Sequence, residues 1–170
     1  MTSILVAIGA EMEIERKFLV VPQLVEEELA KLPSVSIRQA YLVTDRESGR
    51  EVRIRAREGT YSLTVKSGRG MVREEREIAL SEAQFLVLLG GAQGRVIEKQ
   101  RYEVPVGRYQ AEVDVYEGHL KGLVIVEVEF PNEEEANAFI APDWFGEEKT
   151  RDATYKNAQL CCKSSVSELN

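Results

Sequence analysis

Charged residues recur two positions apart along this chain, and within each pair the sign is the same. Glu13 and Glu15 precede Lys17, Arg53 and Arg55 stand together, and Lys66 follows alone. Arg73 precedes Glu75 and Glu77, and then come Lys99 and Arg101, Glu112 and Asp114, and Glu127 and Glu129. Two kinds of chemistry need such sets. Cations held close together clamp a multiply charged anion, and arginine offers phosphate oxygens two parallel hydrogen bonds. Carboxylates are hard oxygen ligands, and magnesium takes one or two of them beside substrate phosphates and water. A polyphosphate with its metal asks for both at once. Lys17, Arg53, Arg55, Lys66, Lys99 and Arg101 are the candidate clamp, and Glu13, Glu15, Glu127 and Glu129 the candidate metal ligands.

This spacing makes a structural demand. Successive side chains of a strand point to opposite faces, so residues at i and i+2 share a face roughly 7 Å apart. The residues between are mostly apolar: Ile14, Ile54, Val113, Val115 and Val128. One reading is an open sheet with a solvated charged face. The other is a barrel, apolar outside under helices, whose charged face lines an interior channel. A surface laced by cross-strand ion pairs needs only mixed signs. Strands that each carry one sign build two different walls, which favours the barrel. Strands are expected over residues 13–21, 35–43, 51–57, 61–67, 72–79, 95–104, 109–116 and 123–130. Helices are expected over 22–32, ended by Pro33, and from the Ser81 cap to about 89, stopped by Gly90, Gly91 and Gly94. A third runs from Asn132 to about 140, and residues 150–162 are helical in part. The class is α+β.

The 170 residues suit one domain, 44% are hydrophobic, and 30% are charged against roughly 25% in an ordinary domain. The net charge of −7 argues against a general nucleic-acid binder, which carries a basic surface. The two cysteines, Cys161 and Cys162, are adjacent, a geometry in which disulfides rarely form. Two bare thiols suit a reducing compartment, so the expected location is the cytoplasm. The single histidine, His119, leaves no zinc-like spacing and no serine–histidine pair. The apolar start is too short for a membrane span or a signal peptide. Residues 1–11 are expected to be an N-terminal extension, either an upstream start or a capping strand, 12–163 the domain, and 164–170 a frayed tail.

The residues in order resemble the CYTH domain family of triphosphate tunnel metalloenzymes. Glu13-Ile14-Glu15-Arg16-Lys17 fits its ExExK signature. Downstream come Gln39-Ala40-Tyr41-Leu42, Arg53-Ile54-Arg55, Lys66, Glu75-Arg76-Glu77 and Lys99-Gln100-Arg101-Tyr102. Glu112-Val113-Asp114, Glu127-Val128-Glu129 and Tyr155-Lys156-Asn157 complete the order, and Trp144-Phe145-Gly146-Glu147-Glu148 resembles the small bacterial members. The resemblance implies an eight-stranded antiparallel closed β-barrel, helices packed outside, with a tunnel that holds magnesium or manganese. It implies hydrolysis of a linear triphosphate, inorganic tripolyphosphate above all, to pyrophosphate and phosphate, with Lys156 reaching the tunnel mouth. Arg73 joins the substrate-binding set, and Glu75, Glu77 and Asp114 join the metal set; Glu112 and Asp114 equally suit orienting the cations opposite. Lys99, crowded by like charges that favour its neutral form, and Tyr41 are the candidates for proton handling.

The alternatives are an adenylate cyclase, a thiamine or nucleoside triphosphatase, and a polyphosphate-binding protein without turnover. The partner is a small-molecule triphosphate, with neither nucleic acid nor membrane; a homodimer is left open. Arg38 reads as a surface residue, Arg57 as a rim charge, His119 as structural, and Trp144 with Phe145 as a hydrophobic plug. Removing Arg53, Arg55 or Lys66 is expected to hold or raise ligand-free stability, since each thins a crowded cationic wall.

Overall fold

Along most of the strands, charged or polar positions alternate with apolar ones, and the sheet curls so that the two sets part. A computed structural model, which describes residues 11–21, 25–45, 47–68 and 72–169, contains eight strands. They are β1 (Glu11–Leu19), β2 (Ser34–Asp45), β3 (Arg50–Arg57), β4 (Thr60–Ser67), β5 (Val72–Leu80), β6 (Gln93–Val106), β7 (Tyr109–Tyr116) and β8 (Val124–Glu129). Helices are short: α1 (Glu26–Leu29), α2 (Glu82–Leu89), α3 (Glu133–Ala138) and α4 (Asn157–Leu160). The strands close in the order β1-β5-β4-β3-β2-β6-β7-β8, every pair antiparallel. Among the described residues no helix is long and apolar enough to cross a membrane.

Closure rests on β1, which divides its pairing. Residues 11–14 pair with β5, and residues 15–19 pair with β8. Past Ile14 the other edge of β1 is taken by a C-terminal segment. Gly146 N–H donates to Leu19 O (2.7 Å), Leu19 N–H to Glu147 O (2.9 Å) and Lys149 N–H to Lys17 O (2.8 Å). The barrel is thus a curled sheet whose last seam along β1 is shared between β5 and this strap.

The outer face is apolar, as the alternation requires. α2 covers β2, β3 and β4 through Phe85, which packs with Ala40 and Ile54. Eight residues make a marginal helix alone; the Ser81–Gln84 capping box and the burial of Phe85, worth about 1.5–3 kcal/mol, hold it. α1, α3 and the segment through Phe145 cover β1, β7 and β8, with Phe18, Val113, Val126, Val128 and Phe130 beneath them.

The third apolar cluster lies at one end of the interior. Tyr41, Ile97, Tyr116 and Ile125 meet Leu120 and Leu123 and the C-terminal Tyr155, Ala158, Leu160 and Cys161, with Leu19 packed against them. The plug expected at Trp144 and Phe145 is instead part of the outer packing, where the Phe145 ring lies tilted against Phe18 with centroids 5.0 Å apart. The helix expected over 22–32 is one turn, because Val25 and Leu29, one turn apart, suffice to anchor it while Leu32 is left exposed. The tail expected to fray forms a 3-10 turn, Val166–Leu169, since its two apolar residues pack on the plug and Leu169 O accepts from the Tyr155 hydroxyl (3.3 Å). The expected extension lies outside the described residues except for Glu11, which opens β1.

Candidate active site

The inward positions beyond the plug line a cavity of about 280 Å³. β1 supplies Glu13, Glu15 and Lys17; β2 Tyr41; β3 Glu51, Arg53, Arg55 and Arg57; β4 Lys66; and β5 Glu75. β6 supplies Arg101, β7 Glu112, and β8 Glu127 and Glu129. Lys149, Thr150, Lys156 and Asn157 come from the C-terminal strap and the start of α4. The strand period alone brings most of these together, because each strand contributes the residues of a single parity.

Within the cavity most cations rest on carboxylates. Lys17 Nζ lies 2.8 Å from Glu127 and 3.9 Å from Glu15. Lys66 Nζ lies 2.7 Å from both Glu13 and Glu75, and Arg53 reaches Glu75 at 3.6 Å. Arg101 bonds Glu112 and Asp114 and reaches Glu127 at 3.3 Å. Arg55 differs. Among the described residues no carboxylate lies within ion-pair distance of it, and its buried Nε has no hydrogen-bond partner. Burial, with Arg53 and Arg101 beside it, lowers its pKa to about 10. A half-buried guanidinium beside two like charges and without a counter-ion is incompletely compensated, and an entering anion relieves that cost.

The carboxylates divide in the same way. Burial raises the Glu127 pKa, but Lys17, Lys99 and Arg101 prevail and hold it well below the usual range. Glu15 moves the other way, pushed up to about 7 by burial and then by Glu127. Glu129 is also raised, by burial and by Glu112 and Glu13. Glu15 and Glu129 stand opposite each other in the β1–β8 register, where like charges repel. A divalent cation fits such a pair of hard oxygen donors. Among the described residues no three His, Cys, Asp or Glu side chains gather as a metal-ligand group; Glu13, Glu75 and Glu127 are turned to lysine or arginine.

Some predicted residues stand elsewhere. Lys99 and Asp114 are fully buried behind the wall, bonded to each other, with Arg101 Nε donating to Asp114 Oδ1 at 2.7 Å. Their place suits orienting Arg101 better than touching a ligand. Burial, against the pull of Asp114 and aided by Arg101, lowers Lys99 to about 8. Glu77 is exposed, accepts from the Thr64 hydroxyl (2.7 Å), and lines a separate hollow with Arg55 and Arg57. Arg73 stands opposite Glu13 in the register, and its side chain is outside the described set. Burial keeps Tyr41 protonated well above its ordinary range; its oxygen accepts from Gln39 Nε2 (3.2 Å), which makes it a donor rather than a base. Arg38, exposed, pairs with Glu98 at 3.4 Å, and Arg57 is a rim charge paired with Glu103. Sequence reasoning missed Glu51, Lys149, Thr150 and Asn157. Glu51 has the parity of Arg53 and was readable; the other three sit in a strap with no periodicity.

A family profile decides the kinship. The CYTH domain profile matches residues 11–159. The chain belongs to the CYTH domain family. This CYTH protein is 46% identical over 152 residues to an inorganic triphosphatase of Nitrosomonas europaea, a match covering 87% of this chain and 95% of the relative. It is 38% identical to an inorganic triphosphatase of Acetivibrio thermocellus, covering 87% and 92%. A crystal structure of an inorganic triphosphatase superposes with a TM-score of 0.64 at 40% identity, covering 90% of this chain and 96% of that one.

Proposed function

We propose that this CYTH protein hydrolyses a linear triphosphate, inorganic tripolyphosphate first, to pyrophosphate and phosphate. The observation that carries the reading is Arg55, a half-buried cation with a buried, unpartnered Nε and no carboxylate within ion-pair distance among the described residues, in a cavity walled by seven further cations. The relatives named inorganic triphosphatases support it. Arg55 receives a phosphate group directly. Lys17, Arg53, Lys66 and Arg101 receive the others by turning from their carboxylates, and Lys156 closes the cavity from the strap. The protonated Tyr41 donates a hydrogen bond to a phosphate oxygen. In phosphoryl transfer most of the catalysis is positioning and charge stabilisation, and this wall supplies both.

Each cation drawn onto phosphate leaves a carboxylate uncompensated. Glu13, Glu15, Glu127 and Glu129, with Glu75 beside them, would hold magnesium or manganese, which supplies neutralisation of phosphate charge and a polarised water. Anion and metal therefore favour each other's binding. Lys99 stays mostly protonated near neutrality, and its role is to fix Asp114 and hence Arg101. Among the described residues Tyr41 is the one aromatic in the wall, so little there recognises a nucleobase. We place the protein in the cytoplasm on its two free thiols.

The test is phosphate release from tripolyphosphate, ATP and thiamine triphosphate, side by side, with magnesium and then manganese. Tripolyphosphate is expected to lead in both, and excess chelator to abolish release. Full activity in chelator rejects the metal, and equal rates on all three reject the preference.

A further inference from the structure

Arg16 lies between Glu15 and Lys17 on β1, so its side chain leaves the barrel as theirs enter it. Four of the five N–H groups of its guanidinium are used. Nε donates to Glu148 Oε1 (2.9 Å) and Nη2 to Glu148 Oε2 (2.7 Å), a two-toothed grip. Nη1 donates to the carbonyls of Ala136 (3.0 Å) and Phe139 (2.9 Å), and the group lies over the Phe18 ring at 5.0 Å. Glu148 Oε1 also accepts from the Thr150 hydroxyl (2.7 Å), whose oxygen accepts from the Lys17 amide (3.0 Å). An arginine on the outer surface is thereby joined, through Glu148 and Thr150, to the backbone of a lysine inside.

The strap is anchored at its ends by Phe145 in the outer packing and Tyr155 in the plug, and between them the grip is its main side-chain tie to β1. Three backbone hydrogen bonds tie Gly146–Lys149 to β1, and among the described residues no strand pairs with its far edge. Yet Lys149 and Thr150 line the cavity, and Lys156 follows one 3-10 turn later. The next fixed points are Tyr155, buried in the plug, and Asn157, whose Oδ1 accepts from the Tyr116 hydroxyl at 2.7 Å.

We propose that Arg16 is a positioning residue: by gripping Glu148 and, through Thr150, the Lys17 amide, it holds the strap where Lys149, Thr150 and Lys156 meet a bound triphosphate. The inference rests on the triphosphatase reading and adds to it a determinant of affinity outside the cavity. Lysine at position 16 keeps the charge but cannot make the fork, and glutamine at 148 keeps the shape but loses the charge. Both variants are therefore expected to fold. Arg16 is half-buried and Glu148 exposed, a pair worth about 1 kcal/mol, so melting temperatures should stay within about 4 °C of wild type.

The experiment measures tripolyphosphate affinity by calorimetry, steady-state kinetics with magnesium, and melting temperature, for wild type, Arg16→Lys, Glu148→Gln and the double variant. Each single variant should weaken affinity and raise KM about tenfold, with kcat within about twofold, as for lost binding shared by ground and transition states. The double variant should be no worse than the worse single, because the two residues act as one unit. Amide exchange at Gly146 and Lys149 should quicken in all three. Unchanged affinity and KM in folded single variants, or losses that add in the double, would overturn the proposal. A wild type that binds tripolyphosphate without cleaving it defeats the hydrolysis reading, while the affinity measurements still decide the role of Arg16. A wild type that does not bind it defeats both.

Discussion

The interior of this barrel holds two regions built by the same strands. At one end the inward positions are Leu19, Ile97, Tyr116 and Ile125, packed by Leu160 and its neighbours. One step along each strand, two residues away, they become Lys17, Lys99, Asp114 and Glu127. The plug is satisfied: its side chains bury apolar surface and need nothing further. The charged region is only partly satisfied, and its strain is concentrated in Arg55 and in the opposed Glu15 and Glu129. The comparison teaches where binding resides. Both regions face the inside of one barrel, the plug fully packed and the charged wall lining the cavity, and only the second lowers its free energy by taking up a charged ligand.

Substitutions can break or sharpen that contrast. The largest effect is expected for Arg55→Ala: loss of about 10²–10³-fold in kcat/KM for tripolyphosphate, as for other preorganised charge-stabilising groups. Its ligand-free melting temperature should hold or rise, since no carboxylate is stranded. A fall of several degrees would put Arg55 among the structural residues. Lys66→Ala should lose activity and also stability, by about 3–5 kcal/mol in chemical denaturation, because Glu13 and Glu75 lose their buried partner. That corrects the expectation, drawn from the charge pattern, that Arg53, Arg55 and Lys66 would behave alike; Arg53 shares Glu75 and belongs with Lys66.

In the plug the signs reverse. Leu160→Ala should cost about 2–5 kcal/mol of stability by opening a cavity, with KM unchanged in the protein that remains folded. A raised KM there would mean that plug and charged wall are not separable. The smallest effect is expected for Gly94→Ala. Its φ is +70°, and a Cβ would sit 2.7 Å from the Cys161 carbonyl oxygen. Strain of this kind costs about 1–3 kcal/mol, read as a lower denaturant midpoint with unaltered kinetics.

Strand parity made the barrel wall legible: eleven of the strand residues singled out from the sequence, Glu13, Glu15, Lys17, Tyr41, Arg53, Arg55, Lys66, Glu75, Arg101, Glu127 and Glu129, line the cavity, and Lys156, which only the family resemblance suggested, lines it too. Parity gives the face of a residue but not its height along the barrel. That is why Glu77, of the right face, stands in another hollow, and why Lys99 and Asp114 lie behind the wall. The plug was missed for the same reason, since Ile97 and Ile125 simply read as apolar strand positions. The strap was illegible because Lys149 and Thr150 are placed by contacts with residues about 130 positions away in sequence, which no local pattern encodes.

The most direct test of the binding site as a triphosphatase site is chromatography of products from tripolyphosphate and from ATP, at equal concentration with magnesium. Tripolyphosphate should give pyrophosphate and phosphate much faster than ATP is converted to anything, since six or more cations serve the phosphates and Tyr41 alone offers a ring. Cyclisation would further need the ribose 3′-hydroxyl held in line at roughly 3–3.5 Å from the α-phosphorus. Cyclic AMP as the main product of ATP, formed as fast as tripolyphosphate is cleaved or faster, would contradict the assignment.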